Sequence, residues 1–264
     1  MLYFSSILKS NPKYSLSAEN LFSALSDSGE KFTIFDGAKD IWARDYMPVK
    51  TKSGKHISFR YEPSYLADVP QLRTIFKTDI APHFALPVTY SNINLDGGNV
   101  VFSPSKVKAV ITDRVFSENP EHDKNTLLSE LENLLEAEII IIPSLISDMT
   151  GHADGVVRFV NENTAIGNAL PYGYEQKVKR ALKKQGISVV DFPYFDSAGI
   201  SAVGSYLNFL ETEKHIFLPI FESVQDETAV KRAKEIFEKK IVTVNINGIA
   251  KDGGVLNCIS WETH

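Results

Sequence analysis

Cysteine is nearly absent from this sequence. Its 264 residues include one, Cys258. A single cysteine makes no internal disulfide and no cysteine-based zinc cluster, so nothing points to an oxidising compartment. Apolar runs long enough to span a bilayer are missing. The start, MLYFSSILKSNPK, lacks the basic lead and long apolar stretch of a secretory signal. Together these absences predict a cytoplasmic protein. Runs of Lys and Arg are also missing, and the formal charge is -5. That argues against nucleic acid or an acidic membrane as partner, and it is compatible with a small cationic substrate. There is no phosphate-cradling G-x-x-x-x-G-K-[ST] loop, and no histidine spacing suits a metal. Neither a cofactor nor a metal is therefore expected. A homo-oligomer is compatible with this composition, which specifies none.

What is present is ordinary for a globular protein, with 43% hydrophobic and 23% charged residues. The chain is long enough to bury a real core and reads as one domain over residues 1–264. The clearest helix is NTLLSELENLLEAE, with Leu127, Leu128, Leu131, Leu134 and Leu135 on one face. IIIIP follows it, the pattern of a buried strand. The pairing recurs. YEQKVKRALKKQG precedes ISVVDF, and DETAVKRAKEIFEKK precedes IVTVNI. Weaker cases are YLADVPQLRTIFKTD before LPVTYS, and SLSAENLFSALSDSG before FTIF. Strand-like pairs stand ahead of two helices: NVVFSP with KAVIT, and GVVRFV with TAIGNAL.

The module is thus strand, strand, helix, strand, repeated about every 50 residues, a spacing typical of propeller-like repeats. The count closes one way. The C-terminal VLNCISW supplies a first strand without a helix after it, and the N-terminal LYFSS, helix and FTIF supply the rest. The expected fold is α/β, five pseudo-symmetric modules in a five-bladed propeller closed by its own termini, which leaves no open sheet edge.

Polar residues recur at one station of the module. Asp45 in WARDYMPV, Asp96 in LDGGNVVF, and His152 with Asp154 in TGHADGVVRFV each lie just ahead of a first strand. Ser205 and Asn208 in GSYLNFL hold that place in the fourth module, and the closing strand carries Cys258 after Gly253 and Gly254. Each residue alone has a plain structural reading: a turn aspartate, a core histidine, a small buried thiol. Their recurrence at equivalent stations points to one shared centre. Ionised carboxylates only accept hydrogen bonds, and a guanidinium, planar with five donors, is their natural partner. A thiolate can attack the carbon of a guanidinium held in that way, with a histidine moving the protons.

At this point the residues resemble a family. WARD, DGG, GHAD…RF, SYLNF and GG…C are similar, in order, to the motifs of agmatine deiminases and peptidyl-arginine deiminase-like proteins. More broadly, they resemble the guanidine-modifying enzymes of five-bladed α/β-propeller (pentein) fold. The resemblance runs from Trp42 to Cys258. It implies that Cys258 is the nucleophile and that Asp96 assists His152. It implies that Asp45 and Asp154 clasp the guanidinium and that Trp42 lines the pocket. The implied reaction is hydrolysis of agmatine to N-carbamoylputrescine and ammonia. The chain departs from the family pattern at Met47 and at Asn257, where relatives usually carry glycine and histidine. These departures leave open peptidyl arginine, free arginine or a methylated arginine as substrate. A non-catalytic binding protein on the same fold is the remaining alternative.

Overall fold

The computed structural model describes residues 1–169, 173–195 and 200–263. Among these are five three-stranded sheets, in each of which the first strand runs antiparallel to the second; in four of them the third is shown to run parallel to the second. β1 (Leu2–Ser5) and β2 (Phe32–Phe35) pair in parallel, Leu2 opposite Phe32. β3 (Val49–Lys50) is antiparallel to β4 (His56–Arg60), which is parallel to β5 (Val88–Asn94). β6 (Val101–Phe102), β7 (Lys108–Thr112) and β8 (Glu138–Ile142) repeat this. β9 (Val157–Asn161) is antiparallel to β10 (Thr164–Asn168), with β11 (Ser188–Phe192) beside β10. Leu170, the end of the expected TAIGNAL strand, lies outside the described residues. β12 (Leu210–Glu211), β13 (His215–Ile220) and β14 (Lys240–Asn245) form the fourth repeat. β15 (Trp261–Glu262) then pairs antiparallel with β1, Leu2 opposite Glu262, so the last strand completes the sheet begun by the first.

Parallel neighbours need a crossover, and helices supply it. Ser15–Asp27, Lys124–Leu135, Gly173–Lys184 and Asp226–Ile236 fall where the periodicity places them. Asp123 starts the second of these by accepting from the N–H groups of Asn125 and Thr126, both at 3.0 Å. Such a cap stabilises by about 1 kcal/mol. Leu127, Leu131 and Leu135 are fully buried, each worth about 1.5–3 kcal/mol of transfer energy. They meet Ile93 and Leu95, at the end of β5, as well as Ala109 and Ile111 of β7. The helix Gly173–Lys184 does the same one repeat later, setting Val178 and Leu182 against Ile140 and Ile142 of β8. The helix Ser15–Asp27 packs on β14. Each of these helices therefore also covers the sheet of the repeat before its own.

Two expectations are corrected. YLADVPQLRTIFKTD is not a helix. It forms separate turns at Ser64–Leu66, Pro70–Leu72 and Phe76–Ile80. Pro70 has no N–H to donate and pushes the residue before it out of the helical region; Val69 has φ -133°. VLNCISW is not a strand through its length. Residues 256–259 form a turn, and only Trp261–Glu262 pair. The N–H groups of Ile259 and Ser260 go to the carbonyls of Val255 and Asn257, which removes them from any sheet.

By backbone packing the chain divides into two compact units. The first is Met1–Arg44 with Asn168–Leu170 and Asp191–His264, and the second is Asp45–Gly167 with Pro171–Val190. The first holds β1, β2 and β12 to β15, and the second holds β3 to β9 and most of β10 and β11. No helix among the described residues is long and apolar enough to cross a membrane.

Candidate active site

One feature recurs ahead of the first strand of each sheet: a tight turn carrying a polar side chain. Asp45 lies in the single helical turn Ala43–Tyr46 ahead of β3. Asp96 precedes the turn Gly97–Asn99 ahead of β6. His152 precedes, and Asp154 lies within, the turn Ala153–Gly155 ahead of β9. Asn208 comes two residues before β12, and Cys258 sits in the turn before β15.

In the second unit these turns converge. Asp45, Asp96, His152 and Asp154 are all buried. His152 Nε2 lies 2.7 Å from Asp96 Oδ2. Its other ring nitrogen, Nδ1, faces Asp45 Oδ1 at 3.5 Å. Asp45 Oδ1 also accepts the Gly98 N–H at 3.2 Å. Gly98 is there because nothing larger fits. A Cβ on it would come within 2.6 Å of Asp45 Oδ1 and 2.7 Å of His152 Nδ1. Asn99 couples the two turns, since its Oδ1 accepts from Ala153 N at 3.2 Å and from Thr112 N at 3.0 Å.

Three buried carboxylates around one imidazole decide its charge. Burial alone would strip the proton from His152. The field of Asp45, the hydrogen bond and charge of Asp96, and the charge of Asp154 outweigh it and lift the imidazole from 6.5 to about 10. The ring is an imidazolium at neutral pH. With its Nε2–H committed to Asp96, Nδ1 is the nitrogen left to give and take a proton.

This has a consequence for stability. The proton is bound more tightly in the folded than in the unfolded chain. The resulting stabilisation is complete below about pH 6.5 and is lost as pH rises through about 10. The thermal midpoint is therefore expected to fall across that window. His152→Gln should flatten the slope, as read by unfolding scans at stepped pH. An unchanged slope in the variant would contradict a charged His152.

The first unit holds Trp42 and Cys258. The Cys258 thiol is half-buried. Its turn is tied down from two sides. Asn208 Oδ1 accepts Cys258 N–H at 3.2 Å and the Asn208 carbonyl accepts Asn257 N–H at 3.1 Å. Arg44 N–H donates to the Cys258 carbonyl at 3.0 Å, and Arg44 Nε donates to the Asn257 carbonyl. The Arg44 guanidinium then forks onto both oxygens of Glu262 in β15. The Trp42 indole lies against Gly254, where a Cβ would have no room. Asp40 Oδ1 accepts Trp42 N–H at 2.9 Å. Burial pushes the Asp40 carboxyl up to about 7, against that hydrogen bond, which favours the anion.

Several of these residues escape sequence reasoning. Asn99 and Asn208 play one part in two repeats. Each lies two residues before a first strand and accepts an N–H from the turn of the following repeat. That spacing was the available signal. Arg44 as an anchor for the cysteine turn had none, because its partners are more than 200 positions away along the chain.

The fold matches known proteins. A family model described as Porphyromonas-type peptidyl-arginine deiminase matches residues 27–263. A protein named as an agmatine deiminase in Shewanella frigidimarina (strain NCIMB 400) is 40% identical over 67 residues. That match covers 25% of this chain and 18% of the relative's length. The structure of the C. jejuni agmatine deiminase aligns over 98% of this chain and 91% of its own, with TM-score 0.74 and 18% identity. The agmatine deiminase of Enterococcus faecalis aligns over 98% and 92%, with TM-score 0.76 and 17% identity. At these identities the structural likeness establishes the fold. The family model reaches from before the Asp45 turn to beyond the Cys258 turn, and on that match the chain belongs to the Porphyromonas-type peptidyl-arginine deiminase family.

Proposed function

We propose that this protein is a cysteine-dependent deiminase that hydrolyses the guanidinium of agmatine to N-carbamoylputrescine and ammonia. The observation that carries this is the buried Asp45–His152–Asp96 set, with Asp154 adding its charge, in a member of a deiminase family. We take the five repeats as the blades of a closed propeller, a reading supported by the β15–β1 pairing and the likeness to agmatine deiminases.

In this reading Asp45 and Asp154 hold the guanidinium by its N–H groups, and Trp42 packs beside it. The bound cation favours the thiolate of Cys258, which attacks the guanidinium carbon. A tetrahedral adduct forms, the C–N bond breaks, and ammonia leaves with a proton from His152 Nδ1. Water then attacks the S-alkylthiouronium and gives its proton to His152. The C–S bond breaks and the hydroxyl proton of the adduct passes to solvent, where ammonia takes it up, releasing the urea product and the thiolate. Asp96 keeps His152 in one tautomer throughout. The positive substrate also offsets the carboxylates that hold the imidazole proton, which readies His152 to release it.

Ammonia release and N-carbamoylputrescine formation on incubation with agmatine test this. Cys258→Ser is expected to lose turnover, and a haloacetamidine is expected to label Cys258 in the parent protein. Absence of turnover together with an unlabelled thiol would overturn deimination and favour a binding role. A second reading has its own support, because the matching family model is described by peptidyl arginine. Turnover of an arginine peptide but not agmatine would select it, with the same residues in the same roles.

A further inference from the structure

The crossover between β4 and β5 is the one that replaces an expected helix with separate turns, and it delivers a side chain to the buried set. Tyr65 lies in the turn Ser64–Leu66. Its hydroxyl donates to Asp96 Oδ2 at 2.8 Å. That is the oxygen that His152 Nε2 meets at 2.7 Å. Two donors thus converge on one carboxylate oxygen, and the Tyr65 and His152 rings meet edge to face with centroids 6.3 Å apart.

The turn is fixed in place. Glu118 accepts from Ser64 N at 3.0 Å and from Ser64 Oγ at 2.7 Å. Arg114 donates to Glu118 and to Ser64 Oγ, and its guanidinium stands 5.5 Å from the Tyr65 ring centroid. Asn94 exchanges hydrogen bonds with the backbone of Glu62, just upstream. Six side-chain contacts on Glu62, Ser64 and Tyr65 aim one phenol. A residue needed only to fill space would require none of this.

We propose that Tyr65 is a positioning residue that sets how tightly the Asp96–His152 pair holds its proton. The inference rests on the deiminase reading for its kinetic consequence, but not for its titration. A carboxylate that shares its charge with a second donor pulls less on the first. Tyr65 therefore weakens the grip of Asp96 on the imidazolium and moves His152 toward the range in which it can give up a proton at working pH. The other groups facing the pair act in known directions. Asp45 and Asp154 hold the proton on, whereas the Arg114 guanidinium is paired with Glu118 and stands over the Tyr65 ring. Burial, Asp96, Tyr61 and Asp45 keep the Tyr65 hydroxyl protonated well above the usual tyrosine range, so it stays a donor.

The test is Tyr65→Phe, which keeps the ring under Arg114 and removes only the donor. Nitrogen-15 NMR of the His152 imidazole reads the pair directly, with or without substrate. The apparent pKa of His152 is expected to rise by about 0.5–1 unit in Tyr65→Phe. It is expected to fall when a fluorinated tyrosine, a stronger donor, replaces Tyr65. With agmatine, the pH–rate profile of Tyr65→Phe should move alkaline, with kcat lowered more than KM raised. A His152 titration that both replacements leave in place would overturn the proposal. The opposite order of shifts would also overturn it. A shifted titration without agmatine turnover would leave Tyr65's role standing and count against the substrate.

Discussion

Asp96→Asn is expected to lower kcat about a thousand- to ten-thousand-fold, the scale of loss when the acid orienting a catalytic histidine becomes an amide. The reason is local. Asp96 Oδ2 holds His152 Nε2 at 2.7 Å and so fixes a proton there. An asparagine presents an N–H₂ to that nitrogen as readily as a carbonyl. The neutral imidazole then adopts the other tautomer and carries its proton on Nδ1, facing Asp45. In the proposed reaction Nδ1 then no longer accepts the proton from the attacking water, and the step that frees the thiol fails. Removing one of three carboxylates also weakens the field that keeps the ring charged. The variant should still fold, since the Tyr65 hydroxyl can accept from an amide N–H₂ at that position as well as donate to a carboxylate oxygen. Circular dichroism with steady-state kinetics checks both parts. A kcat above about a tenth of the parent value would remove Asp96 from its assigned role.

Gly98→Ala is expected to cost about a hundred-fold in kcat/KM while adding a single methyl group. The added carbon would lie 2.6 Å from Asp45 Oδ1 and 2.7 Å from His152 Nδ1. Both distances are shorter than side-chain carbons tolerate. Neither neighbour is the loose end of a flexible chain, because Asp45 is pinned by the Gly98 N–H and His152 by Asp96. Relief requires pushing apart the acid proposed to grip the substrate and the imidazole proposed to move the proton. Displacements near 1 Å are enough for a loss of that order. The backbone of Gly98 needs no unusual torsion, so the effect should fall on activity more than on stability. Parent-like turnover in a well-folded Gly98→Ala protein would show that Asp45 and His152 do not need their present spacing.

The repeats were legible because burial imposes periods. The leucines of Lys124–Leu135 recur every three or four positions because one helix face meets two sheets, and the isoleucines of β8 run together because both faces of that strand are covered. The stations Asp45, Asp96, His152 and Asp154 were legible for a related reason. They recur at one place in a repeating unit, and the structure gathers all four in one unit. The crossover from β4 to β5 was misread because apolar residues at helical spacing looked sufficient, while Pro70 forbids the hydrogen bond that would continue the turn. The turn around Cys258 was misread because Val255, Leu256 and Ile259 suggest a strand. All three are fully buried although they lie in or beside a turn, and the N–H groups there are spent on Asn208 and on local carbonyls. Tyr65 was invisible for a third reason. Its partner Asp96 is 31 positions away across an irregular segment, and no period connects them.

The pairing of β15 with β1 also bears on how the molecule is assembled. Every other sheet is built from strands that follow one another along the chain. The sheet that joins Leu2 to Glu262 has to wait for residues 260 positions apart (262 − 2). Closing so long a loop is entropically costly and slow, and little is gained until neighbouring repeats are in place. Folding should therefore proceed repeat by repeat from within and end at this seam. Arg44, which grips Glu262 of the seam and the carbonyl of Asn257 beside the thiol, then shapes the cysteine turn only once the seam has formed. A nascent chain still missing this strand would carry an unshaped turn around the proposed nucleophile, so on that reading reactivity is delayed until the seam has formed.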